Sequence, residues 1–113
     1  LYGDGSAVRS FTYVDDVVSA TALAGTVPDV APGTVLNVAG GSEVSMVNLI
    51  EIIGEVAGAP VRLERHPTQP GDAARTGGDT TAISEVLGWH PTTSLVDGVA
   101  AQLDWHRRRR GTG

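Results

Sequence analysis

The chain has 113 residues, is 41% hydrophobic and carries a formal net charge of −5, which allows one small core and excludes nucleic acid as the default partner. It contains no cysteine, so disulfides, thiolate metal sites and cysteine nucleophiles are excluded together. No apolar run is long enough to span a bilayer and no signal peptide stands at the start, so a cytoplasmic protein without a membrane partner is expected; the lack of a methionine before Leu1 further points to a piece of a longer chain.

Gly3-Asp4-Gly5-Ser6 supplies the small residues that a hairpin loop demands. Val8, Ser10, Thr12 and Val14 alternate with Arg9, Phe11 and Tyr13, a period of two that predicts a strand with two unlike faces. Asp15 and Asp16 stand at a helix start, where capping and the dipole account for them better than paired acid/base chemistry does. That helix carries Val17, Val18, Thr21 and Ala22 and is expected to stop at Gly25. Thr34 to Val38 is an apolar run broken only by Asn37, which predicts a strand buried on both faces, with Asn37 needing a hydrogen-bond partner. Ser45 is a good N-cap for a helix with Leu49, Ile50, Ile53, Val56 and Ala57 on one face, ended by Gly58.

Val61 to Arg65 reads as a short one-sided strand, and His66 to Gly78 as a long loop of the kind that is functional or disordered. Asp79 caps a helix bearing Ile83, Val86 and Leu87, stopped by Gly88. Ser94 and Asp97 open a last helix with Leu95, Val96, Val99, Ala100 and Leu103 in a stripe. Trp89 and Trp105 are expected to pack the last helices together, residues 107–113 to form a basic flexible tail, and His66, His90 and His106 to lack metal-ligand spacing. Hairpin, helix, strand, helix, strand, helix, helix is an α/β order with too few strands for a complete doubly wound sheet.

Four of these stretches carry a resemblance. Gly-Asp-Gly-Ser-x-x-Arg-x-Phe-Thr-Tyr-Val-Asp-Asp from Gly3, Asn37-Val38-Ala39-Gly40-Gly41, Gln69-Pro70-Gly71-Asp72 with Thr76 and Asp79, and Leu87-Gly88-Trp89-x-Pro91 occur in that order. They resemble the C-terminal part of the extended short-chain dehydrogenases/reductases, the NAD-dependent nucleotide-sugar epimerases and dehydratases. The resemblance covers residues 1–106 and implies an α/β, Rossmann-type fold. In it, residues 34–58 would give the last strand and helix of the nucleotide-binding sheet, and the rest a small mixed substrate domain.

The same resemblance implies hydride transfer to NAD, a nucleotide-sugar substrate and a homodimer. Such chemistry needs a glycine-rich strand-to-helix turn and a Tyr-x-x-x-Lys pair. All eight basic residues are arginine, so no lysine follows Tyr2 or Tyr13, and Gly3-x-Gly5 has no third glycine. NAD would therefore be bound by an N-terminal half absent here, and this chain alone is expected to be inactive. What remains is substrate binding. The resemblance places Arg9 on the diphosphate, where a guanidinium fork matches phosphate oxygens, and Asp72 on the ribose or on the arginine itself. Gln69 stands where several branches have a second arginine, a variant similar to the uronate epimerases, and Arg75 or Arg65 could serve instead. Ser10 replaces an acid usual beside Arg9. A surface Arg9 paired with Asp4 or Asp15 is the plainer reading. The chain as a non-catalytic interaction module or complementing subunit using exposed apolar faces, or as a gene remnant with no stable fold, stays open beside the enzymatic one.

Overall fold

Among residues Leu1–Gly111, those described by the computed structural model, two strands and four helices follow one another. They are β1 (Val8–Phe11), α1 (Val14–Thr26), β2 (Ser42–Ser45), α2 (Met46–Ala57), α3 (Thr81–Leu87) and α4 (Leu95–Gly111). β1 and β2 are antiparallel, from Val8 opposite Ser45 to Phe11 opposite Ser42. Directly paired residues share a face and alternate residues do not. Val8, Ser10, Glu43 and Ser45 therefore occupy one face, and Arg9, Phe11, Ser42 and Val44 the other. Along the second edge of β1, Val8 N–H donates to Ala74 C=O at 2.8 Å and Thr76 N–H donates to Val8 C=O at 3.1 Å. A single parallel bridge, Val8 to Arg75, marks that junction. β1 is thus held on both sides.

Several boundaries differ from those the sequence predicts. Gly3 and Gly5, both at positive φ, do not close a hairpin, because the residue before the turn bridges to His66 instead of to β1. β1 ends at Phe11, before the expected Val14, where Thr12 Oγ1 donates to Gly40 C=O at 2.7 Å and the chain swings into α1. The N-cap position of α1 is Tyr13 without a side-chain cap, so Asp15 and Asp16 lie inside the first turn. There the dipole favours both. α1 runs past Gly25 to Thr26, and Val27 N–H closes it on Leu23 C=O at 2.8 Å.

Neither Thr34–Val38 nor Val61–Arg65 is a strand. A strand exists by pairing, and no neighbour in this chain pairs with Thr34–Val38, which leaves Val35 88% exposed and Asn37 in a long 3.5 Å contact to Asp79 C=O. Val61–Arg65 is tied down at its end, by the Leu1 amino group to Glu64 C=O and His66 N–H to Leu1 C=O. β2, with the sequence Ser-Glu-Val-Ser, has no apolar alternation by which to predict it. The helix signals hold better. Ser45 Oγ accepts from Asn48 N–H, Ser94 Oγ accepts from Asp97 N–H, and Gly58 and Gly88 take the left-handed cap conformation.

The buried core is small. Ala20, Ile83, Leu87 and Trp89 form it, with Leu23, Val27, Val30 and Leu36 against them. Asp16 organises its edge. Its two carboxylate oxygens accept from Thr92 Oγ1 and Thr93 N–H, each at 3.0 Å, and its carbonyl accepts from Trp89 Nε1–H at 2.9 Å. The start of α1 is so fastened to the segment leading into α4. Trp89 does not join the last two helices to each other as expected but packs between α1 and α3, and Trp105 is about half exposed.

α2 and α4 pack on each other beside β2. The arginine run is not a tail over its first residues: Arg107–Gly111 continues α4, and Arg107 donates to Ala57 C=O at 3.2 Å, at the negative end of α2. Thr112 and Gly113 lie outside the described residues. The radius of gyration is 17.0 Å and the shortest extent 20 Å, against roughly 13 Å for the radius of a compact domain of about this size. The chain is a slab with open faces.

Candidate functional site

The candidate site is assembled where β1 meets the segment that follows Gln69. Gly71 adopts positive φ, Asp72 N–H donates to Gln69 C=O at 3.2 Å, and the resulting turn brings Asp72 alongside β1. Arg9 Nη2 donates to Asp72 Oδ1 at 2.7 Å, across 63 residues of sequence. Arg9 Nη1 donates to Val8 C=O at 2.8 Å. These contacts fix the plane of the guanidinium while engaging two of its five N–H donors. The Arg9 side chain is 24% exposed and that of Asp72 41%. Partial desolvation strengthens an arginine's attraction for an anion, and the exposed part leaves room for one.

The other predicted residues are placed differently. Neither Asp4 nor Asp15 pairs with Arg9: Asp4 Oδ1 instead accepts from Ser6 Oγ and Ser6 N–H, which hold its carboxyl below the usual carboxylate range. Ser10 Oγ accepts from Gly40 N–H at 3.3 Å. Asp72 therefore supplies the aiming acid that Ser10 does not. Arg75 lies on the same segment as Asp72, but it bridges Val8 and so belongs to the face opposite Arg9. It donates to the Glu43 carboxylate. Gln69 is exposed on the turn and makes no side-chain hydrogen bond among the described residues, and Arg65 is exposed on the segment before it.

Two side chains make long-range contacts that the sequence alone does not announce. Glu43 sits in a strand with no sequence signal and engages Arg75 across 32 residues. Asp16, read as a helix-start acid, is 4% exposed and receives two hydrogen bonds from the segment after Trp89. Burial pushes its carboxyl up, but the hydrogen bonds from Thr93 and Thr92 outweigh that and hold it below its ordinary value of 3.8.

Two hollows lie elsewhere on the molecule, neither lined by Arg9 or Asp72. A polar one of about 380 Å³ is lined by Ser10, Thr12, Asn37, Thr76 and the Gly77–Gly78 pair. A larger one of about 770 Å³ lies between the end of β1, α2 and α4, with Phe11, Leu49, Ile53, Val99 and Leu103 among its walls. That lining suits apolar packing and not a diphosphate. Among the described residues no three His, Asp or Glu side chains cluster to hold a metal, and no helix is long and apolar enough to cross a membrane. Gly3 and Gly5 lead into a strand, Gly40 and Gly41 into β2. Neither pair opens a helix onto a pyrophosphate.

Residues 1–102 match the family described as GDP-mannose 4,6 dehydratase. A UDP-glucose 4-epimerase of Mycolicibacterium smegmatis is 38% identical over 109 residues, covering 96% of this chain and 34% of the relative. A dTDP-glucose 4,6-dehydratase of Streptomyces griseus is 35% identical over 111 residues, covering 97% and 33%. Among solved structures, the UDP-glucuronic acid 4-epimerase of Bacillus cereus in complex with UDP-glucuronic acid and NAD superposes with a TM-score of 0.89. It is 29% identical over 96% of this chain and 35% of that one. The chain spans about a third of the length of the relatives it matches.

Proposed function

The chain belongs to the GDP-mannose 4,6 dehydratase family of extended short-chain dehydrogenases/reductases, and on that premise we propose that it is the C-terminal, nucleotide-sugar-binding portion of an NAD-dependent epimerase or dehydratase. The observation that carries this reading is the Arg9–Asp72 pair at 2.7 Å. Arg9 presents its remaining donors to the two phosphates, and Asp72 aims it while keeping an oxygen for a ribose hydroxyl. Gln69 adds an uncharged donor on the same turn. Arg75 serves the site from the same segment. The Gln-Pro-Gly-Asp turn is similar to that of the uronate epimerases.

In such an enzyme NAD would supply the hydride chemistry, accepting hydride from a sugar carbon. The residues present here do not fit that cofactor, having neither the glycine-rich helix turn nor a Tyr-x-x-x-Lys pair. The remaining two thirds of the enzyme supplies both, in a cytoplasmic homodimer, and this chain by itself turns nothing over. The exposed faces support a second reading, a complementing module that docks on another protein: Val14, Val18 and Val35 are 61%, 59% and 88% exposed.

Calorimetric titration of the purified chain with UDP and dTDP at low salt tests the first reading. Saturable heat that disappears in Arg9→Ala is expected. A folded chain that takes up neither nucleotide rejects binding by this portion alone and favours the docking module. NADH production by the chain with any nucleotide sugar would contradict the assignment of catalysis elsewhere.

A further inference from the structure

Arg75 is the third residue after Asp72, yet its side chain lies on the other face of the β1 ribbon and is engaged with Glu43 of β2. Among the described residues the segment carrying both is joined to β1 by two backbone hydrogen bonds, Val8 N–H to Ala74 C=O and Thr76 N–H to Val8 C=O. Two such bonds are a weak hold on a segment whose position decides whether Asp72 meets Arg9. The Arg75–Glu43 pair spans β1 from the third segment to β2, on the face away from Arg9. A second feature fits this bridge. A side chain at Gly77 would come within 2.8 Å of Glu43 Oε1, so the bare glycine leaves room for the carboxylate to reach Arg75.

Resting on the substrate-binding reading above, we propose that Arg75 and Glu43 are positioning residues, a clasp that keeps residues 72–76 docked on β1 and so holds Asp72 on Arg9. Arg75 acts on the nucleotide through this clasp and not by direct contact. The two roles predict opposite results when Glu43 is neutralised. Freed from its acid, an arginine that touched the diphosphate would bind it as well or better. An arginine that works as a clasp would lose its hold, and the nucleotide with it.

The experiment compares the wild-type chain, Glu43→Gln, and the charge swap Glu43→Arg with Arg75→Glu, by two readouts. The first is affinity for UDP at low salt. Glu43→Gln is expected to weaken it roughly twofold to fivefold, as befits an exposed ion pair, and the swap to restore most of the loss. The second needs no ligand: hydrogen exchange of the Thr76 and Val8 amides. It should quicken by a similar factor in Glu43→Gln, recover in the swap, and leave the Trp89 indole N–H, bonded in the distant core, unchanged. Unchanged or tighter UDP binding in Glu43→Gln overturns the clasp, as does unchanged exchange at Thr76 and Val8. If the wild type itself gives no UDP signal, the substrate-binding reading is what has failed, and amide exchange alone then decides for or against the clasp.

Discussion

Asp16 and Asp72 are both carboxylates that meet partners far along the chain, at separations of 76 and 77 residues in one case and 63 in the other. Their surroundings differ. Asp16 is buried and satisfied by neutral donors, a hydroxyl and a backbone amide, beside a tryptophan that is itself 2% exposed. Asp72 is 41% exposed and faces a guanidinium with donors to spare. A buried charge fully matched by fixed dipoles stabilises one arrangement of the chain and offers nothing to a ligand. A half-exposed ion pair contributes little to stability but sets the direction of a charge that a ligand can use. On the proposed reading fold and binding are divided between two acids, and substitutions should separate them.

The largest effect on stability is expected at the core. Trp89→Ala removes the largest core side chain and its hydrogen bond to Asp16 C=O, and should cost about 3–5 kcal/mol by denaturant unfolding, enough to abolish folding in so small a core. Trp89→Phe keeps most of the volume and should cost about 1 kcal/mol. Asp16→Ala leaves the Thr93 amide and the Thr92 hydroxyl without their acceptor and should cost about 1–3 kcal/mol. Equal stability of Asp16→Ala and wild type would remove one side of the comparison.

The acid dependence follows from the same contacts. Since the folded carboxyl of Asp16 lies below its unfolded value near 3.8, its contribution is complete above that pH and is lost as pH falls through the lower folded value. Asp4 and Asp79 are lowered too, by hydrogen bonds from Ser6 and Thr81 respectively. Their contribution persists in Asp16→Asn, so subtracting that variant's stability curve from the wild-type curve isolates Asp16. A difference that stays flat through the acid range would show that these hydrogen bonds do not stabilise the ionised form.

The smallest stability effect belongs to the exposed pair. Arg9→Ala should change unfolding by no more than about 1 kcal/mol, while nucleotide binding falls. A large loss of stability in Arg9→Ala would merge the two regions that the structure separates.

What could be read from the sequence follows the range of the forces involved. Ser45, Ser94, Gly58 and Gly88 act on backbone groups within four residues, and their helix boundaries were legible. Thr34–Val38 has the composition of a buried strand but no partner in this chain, so composition misled. β2 has a partner but no composition, and only register with β1 makes it a strand. Asp16 was hidden because an acid at a helix start is already explained locally, and nothing local announces Thr92 and Thr93. Arg9 and Asp72 were singled out through family resemblance. Their 2.7 Å contact is a product of the Gly71 turn and the docking of residues 74–76, which no spacing rule shows.

The central claim, that Arg9 grips the diphosphate, is tested most directly by comparing UDP with uridine on the same protein. The wild-type chain should bind UDP more tightly than uridine, by tenfold or more for a charge-assisted contact, and Arg9→Ala should erase that preference while leaving uridine binding as it was. A preference for UDP that survives in Arg9→Ala would contradict the account and move the phosphate contacts to another residue.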